Sequence, residues 1–450
     1  MTGGWNKQRL RRLRGIRPHV SREKWACWWI VGIYLALQVY SYHGVLGHSP
    51  AIYPDSVTYQ TLASIPLTSR HFWQDAAWGL PLFYKFLPKP IPETAPVAQW
   101  LMSIVSWIVL AEVIASFMRT RAVRLVAFGL VLAFSLSPLV TQWNGAILSE
   151  SLSISLTVLA LAALLSVLHT PTWPRAVIAA AAIFGSCMTR ETNVFLLGTV
   201  ATAVAVVLLL RRRVVVALIP LVGVLLVFGN GFVIGGREQG SVAYNIAIRI
   251  LPSAEARAYF IEQGMPYRPD LDQIIVDDRY PPGVFGNDPR LADFRTWLAE
   301  DGRRVYLRYA LTHPSYSIGQ PLKNLPMMVA PSRALPFGLD FFRQPGFREA
   351  LPRVSDLLYP SLGWVVITNM LLAAAVGIGL AASRLASTVW VVPAAMMLST
   401  IPHAIVVWGA DPFAVDRHSL MIGLAARLSL WFSLLLAVDT YVGLKLRAND

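Results

Sequence analysis

Long apolar stretches separated by shorter polar ones dominate the pattern along this chain. Ten stretches that carry almost no charge approach the roughly 20 residues that an α-helix needs to cross about 30 Å of hydrocarbon. They cover residues 25–46, 97–118, 123–143, 146–169, 175–188, 192–210, 214–233, 359–382, 388–408 and 419–444. The pattern therefore predicts an all-α polytopic membrane protein with about ten transmembrane helices. The first stretch is too long for a cleavable signal peptide, and no small-residue cleavage site follows it.

The spacing of the stretches divides the chain into three parts. Residues 1–233 hold seven predicted spans and one long outer loop, 47–96. Residues 234–358 form an outer polar region with a helix-like run over 291–311, and residues 359–450 return as three spans. The first outer loop mixes aromatic residues with prolines, which predicts short helices lying in the membrane interface, where Trp and Tyr are enriched. Simple anchoring of the loop is the alternative interpretation.

Composition and charge agree with a membrane protein of defined orientation. Of 450 residues, 55% are hydrophobic and only 14% are charged, which excludes an ordinary soluble enzyme. Lys and Arg concentrate before the first span and in alternate short loops, so the positive-inside rule predicts that both termini are cytoplasmic. The net charge of +14 then reflects topology and attraction to anionic lipid headgroups, not a nucleic-acid surface. Among the charged residues inside spans, only Glu112 and Arg427 are expected to be buried.

Ionisable residues gather at the predicted outer boundary of the spans, although they come from distant parts of the sequence. Charged groups at a membrane edge are costly to keep there, and they are candidates for function by default. The set consists of Asp55, Glu150, Arg190, Glu191, Asp411, Asp416, Arg417 and His418.

Each of these residues also has a purely structural interpretation. Asp55 is placed to be the N-cap of a helix over 56–63. Glu150 would lie in the first turn of a helix, where the helix dipole favours an anion. Arg190 and Glu191 are adjacent and fit ordinary interfacial charges, and His418 fits a side chain that reaches for the interface. All of these residues are predicted at the outer boundary of the spans, and this shared position favours a functional site.

Carboxylates together with Arg and His suit one kind of chemistry at an outer membrane face. A carboxylate can take a proton from a sugar hydroxyl as a general base. The planar guanidinium of Arg matches phosphate, and a protonated His can add a donor. This combination favours sugar transfer from a lipid phosphate, with the base near the acceptor and the cations near the departing phosphate. Because no nucleotide-sugar pool exists outside the cell, a membrane-borne donor is the expected substrate.

Four short motifs carry the candidate residues: YPDSVTY at 53–59, LSESL at 148–152, TRETN at 189–193 and DRH at 416–418. They resemble the GT-C superfamily of integral-membrane glycosyltransferases, which take sugars from polyprenyl-phosphate carriers. The resemblance implies that Asp55 is the general base, with Glu150 as the second catalytic candidate. It also implies that Arg190, Arg417 and His418 bind the donor phosphate. Tyr59, Glu191 and Asp416 are further candidates for substrate binding.

The chain departs from the family at one point. The family often has two adjacent acids in the first outer loop, whereas Ser56 follows Asp55 here. Asp75 and Glu150 are therefore alternatives for the base. The expected partners are a polyprenyl-phosphate-linked sugar, a glycan, lipid or protein acceptor, and membrane lipids. No nucleic acid, no metal-ligand set and no cofactor is expected, although the participation of a divalent cation is left open.

Two other classes of function fit the same stretches. A flippase or transporter of lipid-linked glycans would use the outer charges to line a path. Such a path normally has polar groups near the midplane, and here only Glu112 and Arg427 are expected to be buried inside spans. A scaffold that binds partners through the outer polar region is the third possibility. The predicted location is the plasma membrane, with the active site on the extracytoplasmic face.

Overall fold

A computed structural model describes residues 22–43, 50–74, 77–233, 238–268, 288–329, 350–358, 363–364, 367, 388–410, 412 and 415–449. In these ranges the regular secondary structure is helical, and the β-type contact is an isolated parallel bridge between Ala51 and Ala146. The predicted all-α class is thus confirmed for this part of the chain. The basic tail 1–21, most of the eighth predicted span, Asp75 and Asp411 lie outside the described residues.

The first part of the chain contains the helices that build most of the bundle. They are α1 Arg22–Tyr42, α2 Pro54–Ser64, α3 Arg70–Gln74, α4 Gly79–Lys85, α5 Ile91–Ser116, α6 Arg121–Ser135, α7 Pro138–Thr141, α8 Ser149–His169, α9 Trp173–Thr189, α10 Asn193–Leu210 and α11 Val214–Val233. A 3-10 turn, Gln142–Gly145, follows α7 directly. Most predicted boundaries in this part lie within a few residues of an observed helix end.

The second part adds shorter helices and then returns to the bundle. Its helices are α12 Glu238–Asn245, α13 Ala254–Glu262, α14 Ala292–Trp297, α15 Arg303–Thr312, α16 Gln320–Val329, α17 Pro352–Leu358, α18 Val391–Ala410, α19 Val415–His418 and α20 Leu420–Asn449. The 3-10 turns Pro289–Leu291 and Thr388–Trp390 precede α14 and α18, and π turns cover Ile246–Ile250, Leu298–Gly302 and Ser315–Gly319.

Five described helices are long and apolar enough to cross a membrane. They are Ile91–Ser116, Ser149–His169, Asn193–Leu210, Thr388–Ala410 and Leu420–Leu446. A sixth is reached if α6 and the bent segment Pro138–Gly145 form one span, while α9 and Val214–Asn230 are apolar but shorter. These helices indicate an all-α membrane protein, and the total of ten spans stays a prediction.

The third predicted span is broken rather than continuous. The helix axis bends by 55° between α6 and Pro138–Gly145. Pro138 has no N–H to continue the α6 ladder, and instead it occupies the first turn of a new helix. The Ser137 side chain caps this helix by accepting from the backbone N–H of Leu139. The Ser-Pro pair therefore explains why an apolar stretch does not form one straight helix.

The first outer loop contains the three short helices α2, α3 and α4, as the aromatic and proline pattern predicts. Phe72, Leu80 and Tyr84 from this loop are fully buried. The Tyr84 hydroxyl donates to Oε1 of Gln99 on α5 at 3.1 Å. A Cβ added to Gly79 would lie 2.6 Å from the backbone of Met188, so α4 packs closely against the end of α9. The loop is thus part of the packed structure, and its depth in a membrane stays a prediction.

The outer polar region has a hydrophobic core of its own. Buried aromatic residues from α13, α14 and α15 form its centre, among them Phe260, Phe294, Trp297 and Tyr309. The helix-like run predicted over 291–311 is confirmed as α14 and α15, joined by the π turn Leu298–Gly302. The separate core fits the predicted division of the chain, which itself stays a prediction.

Several of the predicted cytoplasmic charges form contacts at one end of the bundle. Arg124 pairs with Glu23 at 2.8 Å, which joins α6 to α1. The carboxylate of Asp439 on α20 accepts from the backbone N–H groups of Arg119 and Thr120 at 2.9 Å each, just before α6. Arg211 donates to the carbonyl oxygen of Leu168 at the end of α8. Because α8 has 21 residues, this end lies about 30 Å from the start of α8.

One expectation about buried charges is wrong. Arg427 is buried, with 1% of its surface exposed, as the sequence predicts. Asp439, inside the tenth predicted span, is buried as well, with 3% of its surface exposed, whereas Glu112 is exposed at the surface of the bundle. Glu112 lies about one turn before the end of α5 at Ser116, where a charged side chain can reach the edge of the bundle.

Candidate functional site

A parallel β-bridge brings the two candidate acids to the same end of the bundle. The N–H of Ala51 donates to the carbonyl of Gly145, and the N–H of Ile147 donates to the carbonyl of Ala51, both at 3.1 Å. Four residues after each bridge position stands an acid, Asp55 after Ala51 and Glu150 after Ala146. Because the pairing is parallel, equal offsets along the two segments lead in the same direction.

The two bridged segments share a sequence pattern that sequence reasoning missed. They read AIYPD at 51–55 and AILSE at 146–150. In each, extended residues lead into a helix, and the acid occupies the second helical position. The first turn of a helix favours a carboxylate because the helix dipole is positive there. The shared pattern is the sequence signal that could have predicted the pairing.

Gln99 on α5 holds the segment that leads into α8. Its Nε2 donates to the carbonyl oxygens of Asn144 at 3.0 Å and Ala146 at 2.9 Å. Ser151 donates to the side-chain oxygen of Asn144 at 2.6 Å. These hydrogen bonds are buried, and they fix the backbone from which Glu150 projects.

Asp55 is not the N-cap of its helix. The helix α2 begins at Pro54, two residues earlier than predicted, and Tyr53 is the capping residue. The Tyr53 N–H donates to Oγ of Ser56 at 2.9 Å, the reciprocal contact of a capping box, so the start of α2 is held without the Asp55 side chain. Proline is favoured at the first helical position, which explains the earlier start. Half of the Asp55 side chain, 51%, is exposed.

Arg417 and Arg190 join the two acids and His418 into one chain of contacts. Arg417 Nη2 lies 2.9 Å from Oδ2 of Asp55, and its Nε lies 2.5 Å from Oε1 of Glu150. Arg190 Nη1 lies 3.2 Å from the same Glu150 oxygen, and its Nη2 lies 2.6 Å from Nδ1 of His418. Four segments that are far apart in sequence thus contribute to a single cluster, which we call the charged cluster.

The charged cluster is buried on one side and open on the other. Glu150 is fully buried, and the side chains of Arg190 and Arg417 are each 8% exposed. Burial opposes the charged form of Arg417, but the carboxylates of Glu150 and Asp55 outweigh it and raise the pKa of the guanidinium. Oε2 of Glu150 has no hydrogen-bond partner within the described part of the chain. The half-exposed Asp55 forms the open edge.

His418 acts as an acceptor in this arrangement. A guanidinium has only donors, so Nδ1 of His418 must accept from Arg190, and this nitrogen carries no proton. The imidazole helps to hold the Arg190 guanidinium in place.

The other predicted residues lie close to the cluster or at its margin. Tyr59 is one helical turn after Asp55 and is partly buried, and burial followed by the charges of Asp55 and Glu150 raises the pKa of its phenol. Tyr59 thus remains a neutral hydroxyl. Glu191 follows Arg190 in the turn between α9 and α10 and is exposed. Asp416 belongs to α19, and its side chain lies outside the described part.

A buried polar network supports the Arg190 turn. Asn193 Nδ2 donates to Oγ of Ser153 at 2.8 Å and to Oγ of Ser186 at 3.1 Å. Thr157 and Ser186 hydroxyls lie 2.8 Å apart. The network links α8, α9 and α10 directly beneath the cluster. Its sequence signal is the run of hydroxyl residues at alternate positions in the first half of α8, which sequence reasoning also missed.

The outer polar region contacts the helix that leads to Arg417. Asn245 and Tyr306 donate to the carbonyl oxygen of Gly409, at 2.8 Å and 3.1 Å. Arg249 donates to the carbonyl oxygen of Trp408, and its guanidinium carbon lies 3.9 Å from the centre of the Trp408 ring. These groups satisfy carbonyls at the end of α18, which would otherwise have no partner in the helix. The contacts hold the start of the connection to α19.

Two further observations concern metal ligands and similarity to known proteins. Within the residues that the structure describes, no three His, Cys, Asp or Glu side chains come together as ligands for a metal ion. Searches against known protein families and against curated proteins find no match for the chain.

Proposed function

We propose that the protein is a membrane glycosyltransferase of the GT-C type, which moves a sugar from a polyprenyl-phosphate donor to an acceptor. One observation carries the proposal: two acids, two arginines and a histidine from distant segments form one cluster at one end of an apolar helix bundle. The cluster combines a solvent-accessible carboxylate with buried guanidinium groups, which is what this reaction needs.

The proposed reaction gives each group a defined task. Asp55 accepts the proton from the acceptor hydroxyl, and the acceptor oxygen forms a bond to the anomeric carbon of the sugar. The bond between that carbon and the phosphate oxygen breaks, and polyprenyl phosphate leaves as an anion. Arg417 and Arg190 stabilise the negative charge that develops on the phosphate. Glu150 holds both guanidinium groups in position, and Tyr59, Glu191, Asp416 and His418 complete the binding site.

The proposed location is the plasma membrane, with the charged cluster on the extracytoplasmic face, about ten spans and cytoplasmic termini. Support comes from the separation of charge along the bundle. The contacts of Glu23, Arg124 and Arg211 lie at one end, and the cluster lies at the other. The positive-inside rule assigns the first end to the cytoplasm. The proposed partners are a polyprenyl-phosphate sugar, a glycan, lipid or protein acceptor, and membrane lipids, with a divalent cation left open.

Transport of lipid-linked glycans is the second candidate, and one residue favours it. Arg427 is buried about two turns into α20, and its Nη1 donates to the carbonyl of Gly423 at 3.0 Å. A buried charge inside a span often marks a substrate path. The remaining ionisable groups of the site lie at one end, which favours the transferase.

The direct experiment is a turnover assay with the purified full chain. Polyprenyl phosphates that carry labelled hexoses or pentoses are incubated with the protein and with membrane lipids and glycans as an acceptor pool. Release of polyprenyl phosphate that depends on the protein would support the transferase, and repeating the assay with a chelator reveals any metal requirement. Movement of the intact donor across proteoliposomes without release would favour transport and contradict the transferase.

A further inference from the structure

The two contacts of Arg417 in the charged cluster differ in their exposure to solvent. Its contact with Glu150 is buried, because Glu150 is fully covered. Its contact with Asp55 opens to solvent, because 51% of the Asp55 side chain is exposed. An ion pair with an exposed partner contributes little to the stability of the fold. Removing one partner of a buried pair, in contrast, strongly destabilises the protein. The Asp55 contact is therefore the one that a ligand can replace.

Asp55 and a phosphate would compete for the same donor group. In the charged cluster Nη2 of Arg417 donates to Oδ2 of Asp55 at 2.9 Å. The other inward donor, Nε, is held by Glu150. A guanidinium binds phosphate best through two adjacent donors. A phosphate that approaches from the open edge meets Nη2 first, and its negative charge also repels the Asp55 carboxylate.

We propose that the donor phosphate displaces Asp55 from Arg417, and that this exchange frees the carboxylate to act as the base. The inference rests on the proposed function and deepens it. Without donor, Arg417 neutralises Asp55 and holds it away from an acceptor. With donor bound, Arg417 turns Nη2 to the phosphate, and Asp55 is released beside the acceptor site. Donor binding therefore precedes activation of the acceptor.

The exchange makes an unusual prediction for binding. If Asp55 competes with phosphate, its removal must strengthen donor binding although it abolishes the base. Asp55→Asn should bind polyprenyl phosphate at least about fivefold more tightly than the natural chain, the equivalent of one exposed ion pair. Asp55→Ala leaves Arg417 without a side-chain acceptor at this position, so it should bind at least as tightly as Asp55→Asn.

The test measures the Kd of polyprenyl phosphate for the full chain in a maltoside detergent, which contains no phosphate. Polyprenol, which lacks the phosphate, serves as the reference ligand. Asp301→Asn is the matched control, because Asp301 also forms an exposed ion pair, with Arg304 at 2.7 Å, and its replacement changes the net charge equally. The control should bind like the natural chain, and thermal unfolding should confirm that each variant is folded.

The outcomes separate the inference from the function on which it rests. Tighter binding of polyprenyl phosphate by both Asp55 variants, with no change for polyprenol or for Asp301→Asn, supports the exchange. Equal or weaker binding by folded Asp55 variants overturns it and leaves the phosphate site intact. If the natural chain binds polyprenyl phosphate no better than polyprenol, then the phosphate site fails, and the proposed function fails with it.

Discussion

At the scale of single residues, Glu150 has an exceptional position because one of its oxygens receives both arginines. Oε1 lies 2.5 Å from Arg417 Nε and 3.2 Å from Arg190 Nη1. Both guanidinium groups are largely buried, so they depend on this carboxylate for charge compensation. Glu150 is thus better suited to hold the arginines than to exchange protons with a substrate.

Replacement of Glu150 should therefore affect folding more than any other change in the cluster. Glu150→Gln keeps the shape but removes the charge, and it leaves two buried guanidinium groups facing a neutral amide. We expect a loss of stability of about 3–5 kcal/mol, typical of a broken buried ion pair. Thermal unfolding in detergent measures it, with Glu255→Gln on the exposed side of α13 as the control. Unfolding temperatures that are equal in both variants would contradict the role of Glu150.

The affinity for polyprenyl phosphate should depend on the guanidinium group of Arg417. We expect Arg417→Ala to weaken polyprenyl phosphate binding by a few kcal/mol, the typical effect of removing a buried charged contact. Arg417→Lys should restore only part of it, because an ammonium group cannot present two parallel donors. The Kd of polyprenyl phosphate is the measurement, and Arg304→Ala, from an exposed pair, is the control. Unchanged affinity in Arg417→Ala would remove Arg417 from the phosphate site.

At the scale of elements, the end of α18 connects the outer polar region to the cluster. Asn245, Arg249 and Tyr306 hold the carbonyls of Trp408 and Gly409, and the chain then reaches Arg417 within eight residues. A helix end that is fixed in this way limits where the following segment can start. By fixing the end of α18, the outer polar region thus sets the position of α19.

Loss of the Arg249 contact should weaken binding at the phosphate site. Arg249→Ala removes both the hydrogen bond to Trp408 and the stacking on its ring. We expect a destabilisation of about 1–3 kcal/mol together with weaker binding of polyprenyl phosphate. Arg257→Ala is the matched control, since Arg257 stacks on Tyr267 and donates to Leu251 within the polar region. If both variants retain normal donor affinity, the polar region does not position the cluster.

The elements also indicate what the sequence could predict. The helices α5, α8 and α10 follow long apolar runs, so their positions are readable from composition alone. The break before Pro138 was missed, although Ser137-Pro138 is a recognisable stop and start signal. The common level of the charged residues was predicted from topology. The partners of each charge were not, because Arg417 reaches Asp55 and Glu150 across 362 and 267 residues of sequence.

At the scale of the whole molecule, charge is separated along the bundle. The contacts of Glu23, Arg124 and Arg211 lie at one end of the helices, and the charged cluster lies about 30 Å away at the other. The separation matches the thickness of the hydrocarbon layer. A single orientation in the membrane then exposes the cluster on one side only.

Labelling of introduced cysteines tests this orientation. Cys27 and Cys187 are first replaced by Ser or Ala to remove the background. Ala254→Cys, exposed in the polar region, should react with an impermeant maleimide on intact cells. Thr172→Cys, exposed between α8 and α9 at the opposite end, should react only after the cells are permeabilised. The reverse pattern would place the cluster in the cytoplasm and contradict the proposed topology.

Turnover by Asp55→Asn shows whether Asp55 is the catalytic base. The structure already assigns helix capping to Tyr53 and Ser56, so the substitution leaves the start of α2 intact. With a labelled polyprenyl-phosphate sugar as donor, we expect turnover to fall by roughly two or more orders of magnitude. Folding should be retained, donor binding should be at least as tight as in the natural chain, and Asp301→Asn should react at the normal rate. Near-normal turnover by Asp55→Asn would show that Asp55 is not the base and would leave Glu150 or Asp75 for that role.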